Sequence, residues 1–386
     1  MQTYDVLIAG GGFHGLAAAY CLAKSGVRTL LLEARGIGSG TSGACAGRAQ
    51  ACEGHLDELN IALVRDGLKA HETLQEELDF DYEWRKVGLL LLLREEGMVR
   101  LWSERSSVLT ASGIPTGIID VQSLREAEPN LRTDGLLGAV ACTEGTLNPL
   151  KFSLALARAA TRYGAQIRRN SPVTGLEVQG RRVTAVKTAA ETYSAGVVAV
   201  MTGSWVNEIT RMAGVELPIQ NSHAEAFITE PIPPRIYHNI GVADSYETIY
   251  GKSHAVAFGI VPEPDGSLYV SEAVASTGDL HDRSTAWGLA AMARAAAGFY
   301  PFLRDVRAVR TWARPTSIAP DEEPLVGWVP QLENLFVSTS LLETISAIPV
   351  LAGWMAMMIQ GQAPPRPLDR YAPGRFFPGI PQGAGR

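Results

Sequence analysis

The stretch VLIAGGGFHGLAAAYCLAKSG, from Val6 to Gly26, constrains the fold of this chain more than any other. A short apolar run ends in three glycines, and Leu16–Ala23 follows with helical spacing and no breaker. Gly26 stops that helix, and Val27–Leu32 is a second apolar run rich in strand formers. Together these pieces read as one strand–helix–strand unit with short connections. Gly10, Gly12 and Gly15 satisfy the G-x-G-x-x-G spacing where it has physical meaning, after a strand and at the start of a helix. Gly10 allows the tight turn, Gly12 lets the backbone approach a pyrophosphate, and Gly15 lets helix and strand pack closely. The helix N-terminus offers unpaired N–H groups and partial positive charge to the phosphates. His14 fills a variable position of the motif and reads as a loop histidine without a catalytic role. Glu33 closes the second strand, where an acid accepts hydrogen bonds from ribose hydroxyls and repels a 2′-phosphate. The unit binds a dinucleotide.

The loop that follows decides between NAD and FAD. ARGIGSGTSGACAG (34–47) offers backbone amides and the hydroxyls of Thr41 and Ser42 just where the chain leaves the ribose. Such a binding loop can follow an extended cofactor to its pyrophosphate and ring system, whereas an NAD enzyme would continue the alternation of strands and helices. Further on, 57–78 has a helical pattern, 84–93 is strand-like, and 149–163 is helical again. Residues 165–188 alternate around Gly180 like a hairpin, and 196–205 is apolar. Strands with turn signals fill about 216–275, an alanine-rich helix spans 285–299, and the Pro/Gly-rich tail from Arg366 reads as surface or disordered.

Bulk properties narrow the class. With 386 residues, 46% of them hydrophobic, the chain can bury two domains or one large one. A net charge of -6 with no clustered Lys/Arg run argues against a nucleic-acid surface. Cys21, Cys45, Cys52 and Cys142 form no CxxC pair, so no metal site is expected from them, and scattered thiols fit a reducing compartment. Asp5 interrupts the first apolar run, which suits a buried strand better than a signal peptide. The apolar stretch from Leu335 to Ile359 contains Glu343, Pro349 and Gly353 and reads as strand, turn and buried helix, not as a membrane span. A soluble cytoplasmic protein is expected.

Several motifs in order resemble the amino-acid oxidase superfamily of FAD-dependent oxidoreductases, the group of D-amino-acid, glycine and sarcosine oxidases. GSGTSGACAG is similar to that family's G-x-G-x-S-G-x-N-A-G, with Cys45 in the asparagine place. EPNLRTDGLLGAVACTEGTLNPLKF, SPVTGLEV, VVAVMTGSWVNEI, FITEPIPP and VRTWARPTSIAPDEEPLVGWVP resemble its later motifs, and the likeness covers roughly residues 3–360. The resemblance implies an α/β protein: a Rossmann-like FAD-binding domain of the glutathione reductase type (1–50, 145–215 and 305–375) with a second, antiparallel-sheet substrate domain (51–144 and 216–304), and a tail at 376–386. It implies FAD held by Gly10, Gly12, Phe13, His14, Gly15, Glu33, Ala34, Thr41, Ser42, Ala44, Val173, Thr202, Gly203, Trp205, Ser346 and Ile348, with a last helix starting near Pro349 and aimed at the flavin ring. It also implies oxidation of a C–N bond by hydride transfer to the flavin, giving an imine.

The chain departs from the family around the substrate. Aligning Trp312 with Asp321 puts Thr316 where a carboxylate-binding arginine is expected, and Arg314 stands two residues away. Glu322 replaces a glycine, and STSLLETISAIP (338–349) lacks the family's glycine and histidine, so Glu343, Thr344 and Ser346 are expected over the flavin. Arg314, Glu343, His223 and Tyr250 are the candidate catalytic residues, with Glu225, Tyr246 and His254 as further pocket candidates. Against each stands a plainer role: a lone His or Tyr in a sheet is often structural, and Arg314 can pair with Asp321. Glu343 is hard to explain as core and suits a cationic substrate group. Cys45 is not expected to link the flavin covalently, because the family's links lie elsewhere. The expected substrate is a small amine or amino acid, with electrons passed to partner subunits as in β-type subunits of multi-subunit dehydrogenases. A non-catalytic FAD-containing subunit and an NAD-linked dehydrogenase are the alternatives.

Overall fold

A computed structural model describes residues 2–244, 254–275, 280 and 282–379. Tyr246 and Tyr250 lie outside the described residues, as do 380–386. Two sheets organise the chain.

The first is eight-stranded: β1 (Gln2–Ala9), β2 (Thr29–Leu32), β7 (Gln166–Arg168), β8 (Val173–Gln179), β9 (Arg182–Thr188), β10 (Thr192–Val200), β16 (Leu325–Trp328) and β17 (Leu335–Thr339). Its order is β16-β17-β10-β1-β2-β7, and the four strands from β17 to β2 run parallel, as does β7 beside β2. All four residues of β2 are buried, the mark of a parallel strand covered on both faces. The β8–β9 hairpin turns at Gly180, whose φ of 60° needs a glycine, and pairs antiparallel with β10.

Helices α1 (Phe13–Lys24), α3 (Glu58–Leu78), α6 (Pro149–Arg162) and α9 (Thr344–Ile359) pack together in one core. Between them in the chain lie α2 (Thr41–Ala44), α4 (Glu96–Ala111), α5 (Val121–Ala127), α7 (Val206–Thr210) and α8 (Ala286–Phe299).

The second sheet is nine-stranded: β3 (Arg48–Ala49), β4 (Arg85–Leu93), β5 (Thr116–Ile119), β6 (Gly138–Thr146), β11 (Gln220–Thr229), β12 (Asn239–Val242), β13 (His254–Pro262), β14 (Leu268–Ala275) and β15 (Ala308–Ile318). Its pairings are antiparallel except β12 with β4. Helix α8 covers one face of β11, β13 and β14, where Val270, Ala273 and Met292 are buried together. Sheet membership sets β3 and β15 with the second layer, although 1–50 and 305–375 were expected in the first.

Two expectations change. The last helix starts at Thr344, not near Pro349, which lies inside it. A proline has no N–H, so the carbonyl of Ile345 lacks its helical partner. His71 on α3 supplies one: its Nε2 donates to Ile345 O at 2.9 Å while Nδ1 accepts from the Tyr82 hydroxyl at 3.1 Å. Gly67 permits the crossing, since a Cβ there would sit 1.8 Å from Ser346 O. The tail from Arg366 is also more ordered than its composition suggests. Leu368 and Tyr371 are buried pegs, and Arg375 donates to Asp321, the partner expected for Arg314. No helix among the described residues is long and apolar enough to cross a membrane.

Candidate active site

The glycine turn between β1 and α1 opens on a cavity of about 780 Å³ that runs between the two sheets. Gly10 has φ of 115°, and a Cβ there would lie 2.4 Å from Met201 O; one on Gly15 would lie 1.9 Å from Gly10 O. These two glycines therefore allow the backbone of β1, α1 and β10 to meet. No side chain caps α1 at Gly12, and no acid stands in its first turn, so the helix N-terminus is left for an anion. Glu33 is oriented by two backbone donors, Gly11 N–H to Oε2 and Arg35 N–H to Oε1, each at 2.7 Å. Each oxygen retains acceptor capacity toward the cavity. Ser42 accepts from Phe13 N–H at 3.1 Å, and Thr41 donates to Pro315 O at 2.7 Å, which ties the loop 34–47 to β15. His14 reaches across to β17, with Nδ1 2.6 Å from Ser338 Oγ, and both residues line the cavity. Burial pushes the His14 pKa down to about 4, so its imidazole is neutral at physiological pH.

The far end of the cavity is lined by side chains from the second sheet. Trp312 Nε1 and the Tyr269 hydroxyl both donate to Ala44 O, at 2.9 and 3.2 Å, and fix the end of α2 against β14 and β15. Arg48 on β3 is gripped along one edge: Nε and Nη2 donate to the two oxygens of Glu144 at 2.7 and 2.9 Å, and Nη2 to Glu53 at 2.6 Å. Asn239 donates to Glu144 at 2.6 Å, so the fully buried carboxylate is satisfied. Burial raises the Glu144 carboxyl above its usual range, while the Arg48 guanidinium pulls it back. Glu343, at the N-cap position of α9, is 7% exposed, and its carboxylate lies over Gly54, where a Cβ would approach Oε1 to 2.5 Å. Burial pushes the Glu343 carboxyl above the usual range, while nearby His55 and Arg105 pull the other way. Glu272 on β14 also lines the cavity, and burial alone raises its carboxyl to about 7.

The pattern of FAD dependent oxidoreductases (DAO) matches residues 5–358. The chain belongs to this family. Over 344 residues it is 26% identical to the β subunit of sarcosine oxidase from an Arthrobacter species, covering 87% of this chain and 82% of that one. It is 29% identical to a formaldehyde-forming 4-methylaminobutanoate oxidase of Paenarthrobacter nicotinovorans, covering 86% of this chain but 40% of that longer one. Among solved structures, L-proline dehydrogenase from P. horikoshii superposes with a TM-score of 0.88 at 24% identity, covering 98% of this chain and 99% of that one.

The residues present fit FAD. Thr202 Oγ1 is buried without a hydrogen-bond partner, beside Gly203, whose φ of 55° and open surroundings leave room for a bulky ligand. Of the residues expected to hold FAD, Gly10, Gly12, Phe13, His14, Glu33, Ala34, Thr41, Ser42, Ala44, Val173, Thr202, Gly203 and Trp205 line the cavity. Gly15 acts by close packing behind it. Ser346 and Ile348 do not line it: the true start of α9 puts both into its buried face, where the Ser346 hydroxyl donates to Gln50 O.

The catalytic candidates divide. Arg314 and Glu343 reach the cavity; Arg314 donates to Ala313 O at 2.7 Å and lies 3.6 Å from Asp282. Trp312, Arg314 and Thr316 share the cavity face of β15, as alternation requires. His223 does not reach the cavity: it is 1% exposed, with Nε2 3.1 Å from Arg283 O on the α8 side of β11. Glu225 does line the cavity, but its carboxylate caps α8, accepting from Thr285 N–H and hydroxyl at 2.8 and 2.7 Å. Its charge at a helix N-terminus is a structural role. His254 packs edge-on against Trp287, outside the cavity. Sequence reasoning did not single out Arg48, Glu53, Arg105 or Glu272. Arg48 directly follows the GACAG loop, a position that could have drawn notice, but β14 carried no local signal for Glu272.

Proposed function

We propose that this FAD-dependent oxidoreductase oxidises a C–N bond of an amino acid or of a secondary amine derived from one, giving an imine that water hydrolyses. The observation that carries the reading is the continuity of one cavity, from the glycine cradle past His14 to a chamber of buried charged side chains. Sarcosine and 4-methylaminobutanoate, named for the two curated relatives, are both N-methyl amines with a carboxylate, and they support that substrate class. Bound FAD supplies the acceptor for the hydride that leaves the carbon beside nitrogen. The protein's own share is to bind, orient and exclude water. Arg48, with Nη1 unused by its carboxylate partners, anchors a substrate carboxylate. Glu343 and Arg314 line the same chamber, and Glu343 suits a second, cationic group on the substrate.

The test is an anaerobic screen of the flavin-loaded protein with sarcosine, glycine, L-proline, 4-methylaminobutanoate and arginine-derived opines, following flavin bleaching. At least one secondary amine is expected to bleach the flavin within seconds to minutes; bound flavin that none of them reduces overturns the reading and favours a non-catalytic subunit. A second reading concerns the electron acceptor. The relative named as a β subunit supports a partner chain as the acceptor, whereas its name as an oxidase supports oxygen. A reduced protein that re-oxidises slowly in air but rapidly with an artificial acceptor supports the partner chain, and fast oxygen uptake refutes it.

A further inference from the structure

Besides a shift between Ile228 and Thr229 on β11, the second sheet breaks register around one residue of β14 on the cavity face. On the β11 side of β14, Glu225 pairs with Ala273 and Ala226 with Ser271, so Glu272 has no partner residue. On the β13 side the register shifts at the same level, between Val256 with Ala273 and Gly259 with Ser271. Glu272 therefore sits at a bulge flanked by two register shifts in the interior of a nine-stranded sheet. A bulge re-aims a side chain, and this one puts a carboxylate where the regular neighbours Val270 and Ala273 are core. Among the described residues nothing hydrogen-bonds or ion-pairs with that carboxylate. Glu272 is only partly exposed, and a carboxylate kept in a cavity without a protein partner points to a ligand.

We propose that Glu272 receives the ammonium group of the amine substrate and takes its proton, so that the amine enters oxidation as the free base. The proposal rests on the C–N oxidation reading above. Aliphatic ammonium groups have pKa values near 10, so about one molecule in a thousand is unprotonated at pH 7. An ammonium nitrogen has no free electron pair to form a C=N bond. In the transfer an N–H bond breaks, an O–H bond forms on a Glu272 oxygen, and the electron pair stays on nitrogen. The step turns a buried ion pair into a neutral pair, which a desolvated chamber favours.

Other titratable groups leave Glu272 in this role. Tyr269 on its own strand is pushed up by burial and further by the Glu272 charge. Glu225 on β11 is committed to α8, and Arg314 on β15 lies beside Asp282. Arg48 is held by Glu144 and Glu53, and Glu343 lies nearer His55 and Arg105. None of them shifts the Glu272 carboxyl, which burial alone holds at about 7, a value matched to a base working near neutral pH.

The test compares the native flavoprotein with Glu272→Gln and Glu272→Asp, using the amine that bleaches the flavin fastest in the screen. Flavin absorbance and content establish that each variant is folded and loaded. In the native protein, the second-order bleaching rate is expected to rise with pH through about 7. Glu272→Gln is expected to bleach on the order of 10²–10⁴ times more slowly at pH 7, with its rise displaced toward the pKa of the amine itself. Glu272→Asp is expected to restore part of the rate and the neutral-pH limb. Equal rates and pH profiles in native and Gln proteins would overturn the assignment while leaving C–N oxidation standing. If no amine bleaches the native protein, the C–N reading falls and this inference with it. Should the Gln variant lose flavin, the decision passes to the Asp variant, whose unaltered profile would also overturn it.

Discussion

At the nucleotide end of the cavity the binding surface is mostly backbone: the amides after Gly10, the uncapped start of α1, and the open space beside Gly203. At the chamber end it is almost entirely side chain: Arg48 between two glutamates, Glu343 above Gly54, Glu272 at its bulge, and the indole of Trp312. Backbone groups are held by the helix and strands that carry them, so their placement costs little beyond the fold itself. Buried charges are different, because each must find a counter-charge or a ligand before the fold tolerates it. The first end is therefore specified by residues close in sequence. The second is specified by residues that meet only through the second sheet, and it is where specificity can change without disturbing FAD.

That contrast can be broken most forcefully at Arg48. Arg48→Met leaves Glu144 buried without its cation, and removing one partner of such a pair costs about 3–5 kcal/mol. Denaturant unfolding of the loaded protein measures the loss, and adding Glu144→Leu should recover much of it. A loss under about 1 kcal/mol would show that the chamber charges are not mutually dependent.

His14 joins the two ends, and pH tests its burial. Its folded pKa of about 4 lies below the ordinary 6.5, so as pH falls the unfolded chain takes the proton first. Its contribution to stability is complete above pH 6.5 and is lost between there and about 4, by up to about 3 kcal/mol. Because Glu272, raised to about 7, acts in the opposite sense below that pH, the quantity to measure is the difference between native and His14→Asn unfolding curves. A pH-independent difference would mean that His14 is solvated.

A smaller effect is expected at the nucleotide end. Gly15→Ala adds a Cβ 1.9 Å from Gly10 O, and overpacking of this kind costs roughly 1–3 kcal/mol. The variant should be isolated with markedly less flavin, read from visible absorbance, whereas amine specificity in the loaded fraction should not change. Altered specificity would contradict the separation of the two ends. Finest of all is Glu343→Gln, which should weaken binding of a substrate with a second cationic group by about 10–100-fold, the worth of a charged hydrogen bond. Flavin content should be unaffected, and unchanged binding would remove Glu343 from the site.

The same contrast governs what could be read in advance. The strand, the glycine turn, α1, β2 and Glu33 lie within 33 residues, and their meaning depends on local geometry that sequence spacing encodes. The hairpin at Gly180 and the helices of 58–78, 149–162 and 286–299 are likewise local patterns, legible to within a residue or two at their ends. Pro349 misled because its ordinary place is the first turn of a helix, while here His71, far away in sequence, satisfies the carbonyl that the proline leaves open. His223 looked like a pocket residue because strand alternation gives two faces without saying which one is covered; α8 decides that. Glu272 was invisible because a bulge is a property of the pairing of three strands. The chain alone thus determined the family, the cofactor and the cradle that holds it, since short-range backbone geometry requires particular residues at particular spacings. Tertiary structure alone decided which charged side chains are desolvated together, because burial and electrostatic partnership exist only once distant strands have met.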